Sequence, residues 1–280
     1  MTPIAFVLIV FAISLVAGVV GALLGLGGGI VVVPALTLGL GIDIRYAIGA
    51  SIVSVIATSS GAAARYVRQH MLNLRVAMFL ELATTSGAIS GAFLAGLIDA
   101  RWLFIAFGLL LGYSAVAMLL HPHDRSGELP PDPLADRLRL HGTYFDETTR
   151  TQRDYRVGHS KLGLCLMYLA GAVSGLLGIG SGAFKVPAMD LAMGLPIKVS
   201  TATSNFMIGV TAASSAGVYF SRGDVDPFVA GPVAAGVVLG AIAGSHLLST
   251  LPASRVRLLF VVVLLVIALE MLYRGVVGHG

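Results

Sequence analysis

Charge is scarce in this chain. Charged residues make up 11% of 280, against 56% hydrophobic, and the mean hydropathy is +0.91. Soluble domains carry about 25% charged residues, so a water-soluble globule is excluded. Cysteine is nearly absent: Cys165 stands alone inside an apolar run, which rules out an intramolecular disulfide framework and a cysteine-based zinc site. Proline is sparse at 11 residues and the 35 glycines follow no period of three, so collagen and Pro/Gly-rich disorder are excluded. The net charge of +4 is spread over the ends of apolar runs and forms no basic face bearing aromatics, which argues against nucleic acid. His121, His123 and Asp124 fall in a polar loop and read as solvated groups, so neither a metal nor a cofactor is expected. What remains is an integral membrane protein whose first partner is the lipid bilayer.

A bilayer core takes about 20 apolar residues of helix to cross. Eight runs fit: roughly 4–24, 45–66, 76–98, 102–120, 161–179, 197–219, 228–250 and 256–273. Ile30–Leu40 and Ala183–Met193 are apolar, bounded by glycine and too short to span. Broken or re-entrant segments of that kind are tolerated only where protein or a water-filled cavity satisfies the backbone. With both termini and the central loop cytoplasmic, twelve Lys/Arg fall inside and six outside, the sense of the positive-inside rule. Met1-Thr2-Pro3 supplies no basic n-region, so the first run reads as a retained span. Residues 121–160 differ from the rest: they hold 13 of the 32 charges, and Gly142–Val157 reads as a short hairpin.

The chain repeats itself at an offset of 153 residues. Gly21-Ala-Leu-Leu-Gly-Leu-Gly-Gly-Gly-Ile-Val-Val-Val-Pro34 aligns with Ser174-Gly-Leu-Leu-Gly-Ile-Gly-Ser-Gly-Ala-Phe-Lys-Val-Pro187. Ser51, Thr58, Tyr66, Gly87 and Gly91 align with Ser204, Thr211, Tyr219, Gly240 and Gly244. The fold class expected is therefore all-α: a polytopic membrane protein of about eight transmembrane helices in two homologous four-helix halves with Gly/Pro-broken segments. Residues 1–120 form the first repeat, 121–160 a polar cytoplasmic loop and 161–280 the second repeat. Four spans per half would give both halves one orientation, whereas crossing by the short segments would invert them.

Matched interrupted segments in two halves are the best sequence pointer to a transporter's substrate site. Gly25, Gly27 and Gly29, with Gly178, Gly180 and Gly182, permit positive φ and close backbone approach, while Pro34 and Pro187 interrupt helix. A helix that stops and restarts exposes N–H groups able to meet an anion. Ser51, Ser54, Thr58 and Gly61 share one helical face. Ser204 and Asn205 lie beside Thr201 at the start of the matching span. The competing reading is helix packing and interhelical hydrogen bonding, which also serves the Gly87/Gly91 and Gly240/Gly244 pairs.

Ionisable residues in spans are functional candidates. Lys185 stands where the first repeat has Val32, suited either to neutralising an anion or to snorkelling. Asp190 is expected as its ion-pair partner or as a proton carrier; Glu81 reads as an interface charge and His246 as a packing histidine, both kept as proton-coupling candidates.

The duplicated [G/S]-x-L-L-G-x-G-x-G-x-x-x-V-P motif resembles the sulfite exporter TauE/SafE family, the TSUP permeases, over about 1–120 and 161–275. The resemblance implies an inner-membrane, multi-pass permease of small sulfur-containing anions such as sulfite, sulfonates or sulfoacetate. Its motif positions here are Gly25, Gly27, Gly29 and Pro34 with Gly178, Gly180, Gly182 and Pro187; Ser181 and Lys185 depart from a fully glycine second motif. The reading is a secondary transporter working by alternating access, with an anion channel or a membrane scaffold as alternatives. No nucleophile motif is present and no enzyme activity is expected; a homo-oligomer stays open.

Overall fold

The computed structural model describes residues 2–94, 100–120, 130–177, 182–221 and 223–277. These are mainly helical: α1 Pro3–Leu24, α2 Gly29–Pro34, α3 Ile44–Arg68, α4 Leu74–Leu94, α5 Ala100–Leu120, α6 Pro133–Arg137, α7 Ser160–Leu177, α8 Gly182–Pro187, α9 Ile197–Ser221, α10 Pro227–Thr250 and α11 Ala253–Val277. The expected hairpin is present as β1 Gly142–Asp146 and β2 Thr151–Tyr155, the one departure from all-α among the described residues. Four helices there are long and apolar enough to cross a membrane: Pro3–Leu24, Arg45–Arg68, Pro227–Thr250 and Ala253–Tyr273. Large apolar side chains are exposed along helix faces, as at Leu258, Val262, Val266, Leu269 and Tyr273 of α11. That spacing makes one stripe along the helix, a surface for lipid rather than water.

The short apolar segments are helical. α2 runs directly into a π-helical stretch, Ala35–Gly39, and α8 into another, Ala188–Ala192. Contrary to the sequence expectation, Pro34 and Pro187 do not interrupt helix; each stands at the change to the wider turn (φ −59° in both). Lacking an N–H, a proline frees the carbonyl a turn before it, and the wider winding begins at the next residue. Both segments close alike. Ile42 N donates to Leu36 O and Leu195 N to Met189 O, each at 3.0 Å, with Gly41 and Gly194 at φ +66° and +69°.

The chain divides into two compact units that interleave the sequence. The first is Met1–Leu72, Tyr144–Gln152 and Thr201–Leu251; the second is Asn73–Thr143, Arg153–Ser200 and Pro252–Gly280. In the first unit α1 packs on α10 and runs parallel to it. Backbone of Phe11, Leu15 and Val19 lies against Gly236, Gly240 and Gly244 in turn, and Phe6 stacks on Phe228 at 5.6 Å where both helices begin. α3 runs the same way: Gly49 meets Asp224–Val225, Gly61 meets Val238, and Arg65 Nε donates to Ser249 Oγ at 3.0 Å. α9 runs against α3, since Asn205 bonds to Tyr66, Gly209 meets Ser59, and the turn after α9 reaches Gly49. In the second unit α4 and α7 repeat the α1–α10 contact: Gly87 sits on the Tyr168 carbonyl and Gly240 on that of Leu15, positions related by the 153-residue offset.

The central segment is anchored at both units. In the first, Phe145 N donates to Gln69 O (3.0 Å), and Thr148 Oγ1 to Thr250 O (3.4 Å). Glu147 takes two bonds from Arg65 Nη2 (2.9 and 3.1 Å), one from Ser249 Oγ (2.9 Å) and one from Gln69 Nε2. In the second, Asn73 Nδ2 donates to Leu140 O (2.8 Å), Gly158 N to Met193 O (3.1 Å) and Ser160 N to Asp132 Oδ2 (2.6 Å). The hairpin turn thus sits where α3 and α10 end. The chain's amino terminus lies where α1 and α10 begin, at the other end of the first unit. The sequence reading put both at one end, because it counted no pass for the short helix between α1 and α3.

Two stability outcomes follow. A side chain at Gly240 or Gly87 would enter a neighbouring backbone, so Gly240→Val and Gly87→Val are expected to lose about 1–3 kcal/mol in detergent melts, while Gly231→Ala, facing open space, leaves the midpoint unchanged. Asp132 is partly desolvated, but bonds from Ser160, Ala135 and Leu134 outweigh that and hold its carboxyl below the usual 3.8. Its contribution is therefore complete above pH about 4 and lost as pH falls through the depressed value; the melting-point gap between wild type and Asp132→Ala should close in acid.

Candidate functional site

α1 ends at Gly25, which adopts the left-handed conformation (φ +68°) and returns its N–H to Gly21 O at 2.9 Å. Gly27 follows at φ +74°, and the helix restarts at Gly29. Each interrupted end leaves backbone groups without intrahelical partners, and this turn is wholly buried. Side chains from two helices cover it. Tyr66 Oη (α3) donates to Ala22 O at 2.8 Å, Asn205 Nδ2 (α9) reaches the same carbonyl at 3.3 Å and Tyr66 Oη at 3.2 Å, and Ser204 Oγ donates to Gly25 O at 2.8 Å. The last carbonyls of α1 are thus capped from α3 and α9.

The restarting end faces hydroxyls. A Cβ at Gly28 would meet Ser54 Oγ at 2.8 Å and Thr58 Oγ1 at 3.2 Å, and one at Gly29 would collide with Ser51 Oγ. Thr58 Oγ1 is spent on Ser54 O (2.8 Å). Ser54 Oγ and Thr201 Oγ1 are buried and have no partner in the structure. Thr201 lies against Gly25, its carbonyl 2.6 Å from where a Cβ would stand. Of the residues singled out from sequence, Gly25, Gly27, Gly29, Ser51, Thr58, Ser204 and Asn205 meet here. Pro34 does not: it is exposed further along the restarted helix. Gly61, on the same stripe as Ser51, turns to Val238 of α10 instead.

The second unit is charged where the first is neutral. Lys185 of α8 is fully buried and its Nζ donates to Glu81 Oε2 of α4 at 3.2 Å. Arg257 Nη2 of α11 meets Asp190 Oδ1 at 2.8 Å, with both residues buried. Two readings need correction. Glu81 is an internal charge, not an interface one, because a buried lysine requires a counter-charge. Asp190 pairs with Arg257 rather than Lys185, since five residues carry a side chain about 140° round a helix. His246 is exposed rather than packed; its neighbours Ser249 and Thr250 bond to its carbonyl, not its ring. Gly182 and Pro187 are buried beside Lys185, while Gly178, Gly180, His121 and His123 lie outside the described residues.

Tyr66 was missed as a site-building group, and Glu147 as the anchor of the hairpin turn. Tyr66 left a trace in sequence, its identity with Tyr219 at the common offset; Glu147 left none, being one acid among many in a polar loop.

A buried, interrupted helix lined by neutral donors, in a chain of long lipid-facing helices, is the architecture of a polytopic membrane protein. The sulfite exporter TauE/SafE family model matches residues 10–271, and the chain belongs to that family. It is 26% identical over 278 residues to the probable membrane transporter protein YunE of Bacillus subtilis, covering 97% of this chain and 98% of that one. Similarity extends to the probable membrane transporter protein YdhB of the same organism (24% over 246 residues, 88% and 90% covered) and to a probable membrane transporter protein of Xylella fastidiosa (27% over 264 residues, 92% and 93%). No solved structure matches it significantly.

The Lys185–Glu81 pair is open to a direct check. Glu81→Gln strands a buried cation and should cost about 3–5 kcal/mol in a detergent melt, whereas Lys185→Met combined with Glu81→Leu should recover most of it.

Proposed function

We propose that this protein is a secondary transporter of small anions, most simply sulfur oxyanions such as sulfite or an organic sulfonate, working by alternating access. The observation that carries the reading is the pair of unpartnered hydroxyls, Ser54 and Thr201, buried beside the glycine turn. Buried polar groups are nearly always satisfied; a visiting anion would accept from both. Ser51 and the N–H groups of the restarting helix supply further neutral donors. Neutral donors suit a solute that must leave again, because a fixed opposite charge would hold it. Ser204, Asn205 and Tyr66 are positioning residues that keep the turn open by capping α1.

The resemblance in family supports the sulfur-anion class, and the bilayer is the medium the lipid-facing stripes address. In the plasma membrane, a potential negative inside drives anion exit by ~2.3 kcal/mol per charge per 100 mV, so export needs no coupling ion. If protons are coupled, Glu81 and Asp190 are the groups we assign to it, because each is buried against a cation that an arriving anion would compete for; the exposed His246 is not.

The test uses purified protein in liposomes loaded with sulfite or sulfoacetate. Ser54→Ala with Thr201→Val should reduce flux at least tenfold while leaving the melting point unchanged or raised, since deleting an unsatisfied buried hydroxyl costs no hydrogen bond. Undiminished flux in that variant removes the two hydroxyls from the path. Absence of flux for every sulfur oxyanion favours a scaffold, and unitary currents would indicate a channel.

A further inference from the structure

We propose that the two short helical segments are complete membrane crossings, that the repeats are therefore inverted, and that the central hairpin faces the cytosol while both chain termini face outside. This rests on the chain being membrane-spanning and is independent of what it carries.

Directions within the first unit carry the argument. α1 and α3 are both parallel to α10, so both run from the amino-terminal end toward the hairpin end. The 19 residues between them, Gly25–Asp43, must bring the chain back. They do: α2 and its π-helical continuation, Gly29–Gly39, span about 16 Å at 1.5 Å per residue, starting where Gly28 lies beside Gly21 of α1 and ending where Leu40 and Ile42 join the core cluster that also receives Phe6 near the start of α1. The irregular part of that return, Gly25–Gly28, is buried within protein, the condition under which non-helical backbone survives at membrane depth. α1, the short segment, α3, α4 and α5 then make five passes, an odd number.

Inversion also shows directly inside that unit. α3 and α9 occupy equivalent positions in the two repeats, and they run in opposite directions. Their equivalence extends to the turn that follows each. Met71 N donates to Tyr66 O (3.0 Å) and Asp224 N to Tyr219 O (3.1 Å), with positive φ at His70 and Gly223. Yet the first of these turns lies beside the hairpin-bound end of α3, and the second lies against Gly49 near its start. The second unit agrees by its own contacts. α7 begins beside the central segment through Ser160–Asp132, and the short segment of that repeat ends beside it through Met193–Gly158. Within the second unit α7 therefore starts, and the short segment ends, at the side that the central segment occupies.

Charge then fixes the side. With ten passes, Arg45, Arg101, Arg222 and Arg274 fall on the face of the termini and Lys185 within the bilayer. The other thirteen of the 18 Lys/Arg fall on the hairpin face. With Lys185 left out of both counts, that is thirteen against four where the eight-pass arrangement gives twelve against five, and Lys/Arg-rich connections stay cytosolic.

Single-cysteine labelling tests this on the full chain in a Cys165→Ser background. Cysteines are placed at exposed positions by Thr2→Cys, Arg45→Cys and Thr149→Cys and probed with a membrane-impermeant maleimide on intact cells and on inverted vesicles. Thr2→Cys and Arg45→Cys should label in intact cells and Thr149→Cys only in inverted vesicles, each by at least tenfold over the opposite preparation. Labelling of Thr2→Cys and Thr149→Cys from one face would overturn the inversion, and so would labelling of Thr2→Cys and Arg45→Cys from opposite faces. Labelling of Thr149→Cys in intact cells with Thr2→Cys only in inverted vesicles would overturn the assignment of sides. A detergent melting point unchanged from the Cys165→Ser protein shows that each labelled variant is folded.

Discussion

The interruption between α1 and α2 is the constraint from which the rest of the first unit follows. A helix that stops inside a hydrophobic medium leaves carbonyls behind it and N–H groups ahead of it, and each is costly to bury unpaired. The carbonyl side is resolved by long polar side chains, Tyr66 and Asn205 converging on Ala22 O and Ser204 on Gly25 O. That solution requires α3 and α9, one from each repeat, to meet at one turn. The glycines make the meeting physically possible, because the Thr201 carbonyl occupies the place of a side chain at Gly25. The N–H side is left with hydroxyls that have spare capacity. On the proposed function, a preference for anions would come from these neutral donors rather than from a positive side chain.

The two interrupted helices share geometry but not chemistry. Around the first, buried groups are alcohols and amides; around the second, Lys185, Glu81, Asp190 and Arg257 form buried pairs. In the first repeat the counterparts of Lys185 and Asp190 are Val32 and Thr37. Duplication supplied the scaffold twice, and only one copy acquired charge. Paired charges in a low dielectric hold a fixed arrangement strongly, since separating them is far more costly than keeping them, while hydroxyl contacts exchange readily.

Much of this was legible in sequence, and the failures have physical causes. The helix boundaries lie within a few residues of the apolar runs, because lipid-facing helices have to be apolar along their length. Gly25, Gly29, Ser51 and Ser204 were singled out by the common offset of 153 residues, a record of equivalent position; that they meet at one turn was not legible in it. The partners of Lys185 and Asp190 were not legible: Glu81 lies 104 residues from the first and Arg257 lies 67 from the second, and no local periodicity encodes such a distance. The direction of α3 was lost for another reason. A rule requiring about 20 residues to span a bilayer passes over an 11-residue helix that, entered and left through glycine turns, returns the chain to the start of α3. Family membership, read from the paired motif, and the transporter class agree with the relatives.

The interleaving of the two units has a consequence for biogenesis. α1 rests on the glycines of α10, more than 200 residues later in the chain. At about 5–20 residues per second of synthesis, the opening segment waits on the order of ten to forty seconds in the membrane before its permanent neighbour is made. During that interval Ser14, buried in the folded protein, and the backbone that packs on those glycines face lipid or a chaperone. A nascent chain stalled before residue 236 would hold α1 in the bilayer with nothing to close against, which marks this stretch of translation as the period in which quality control has most to recognise.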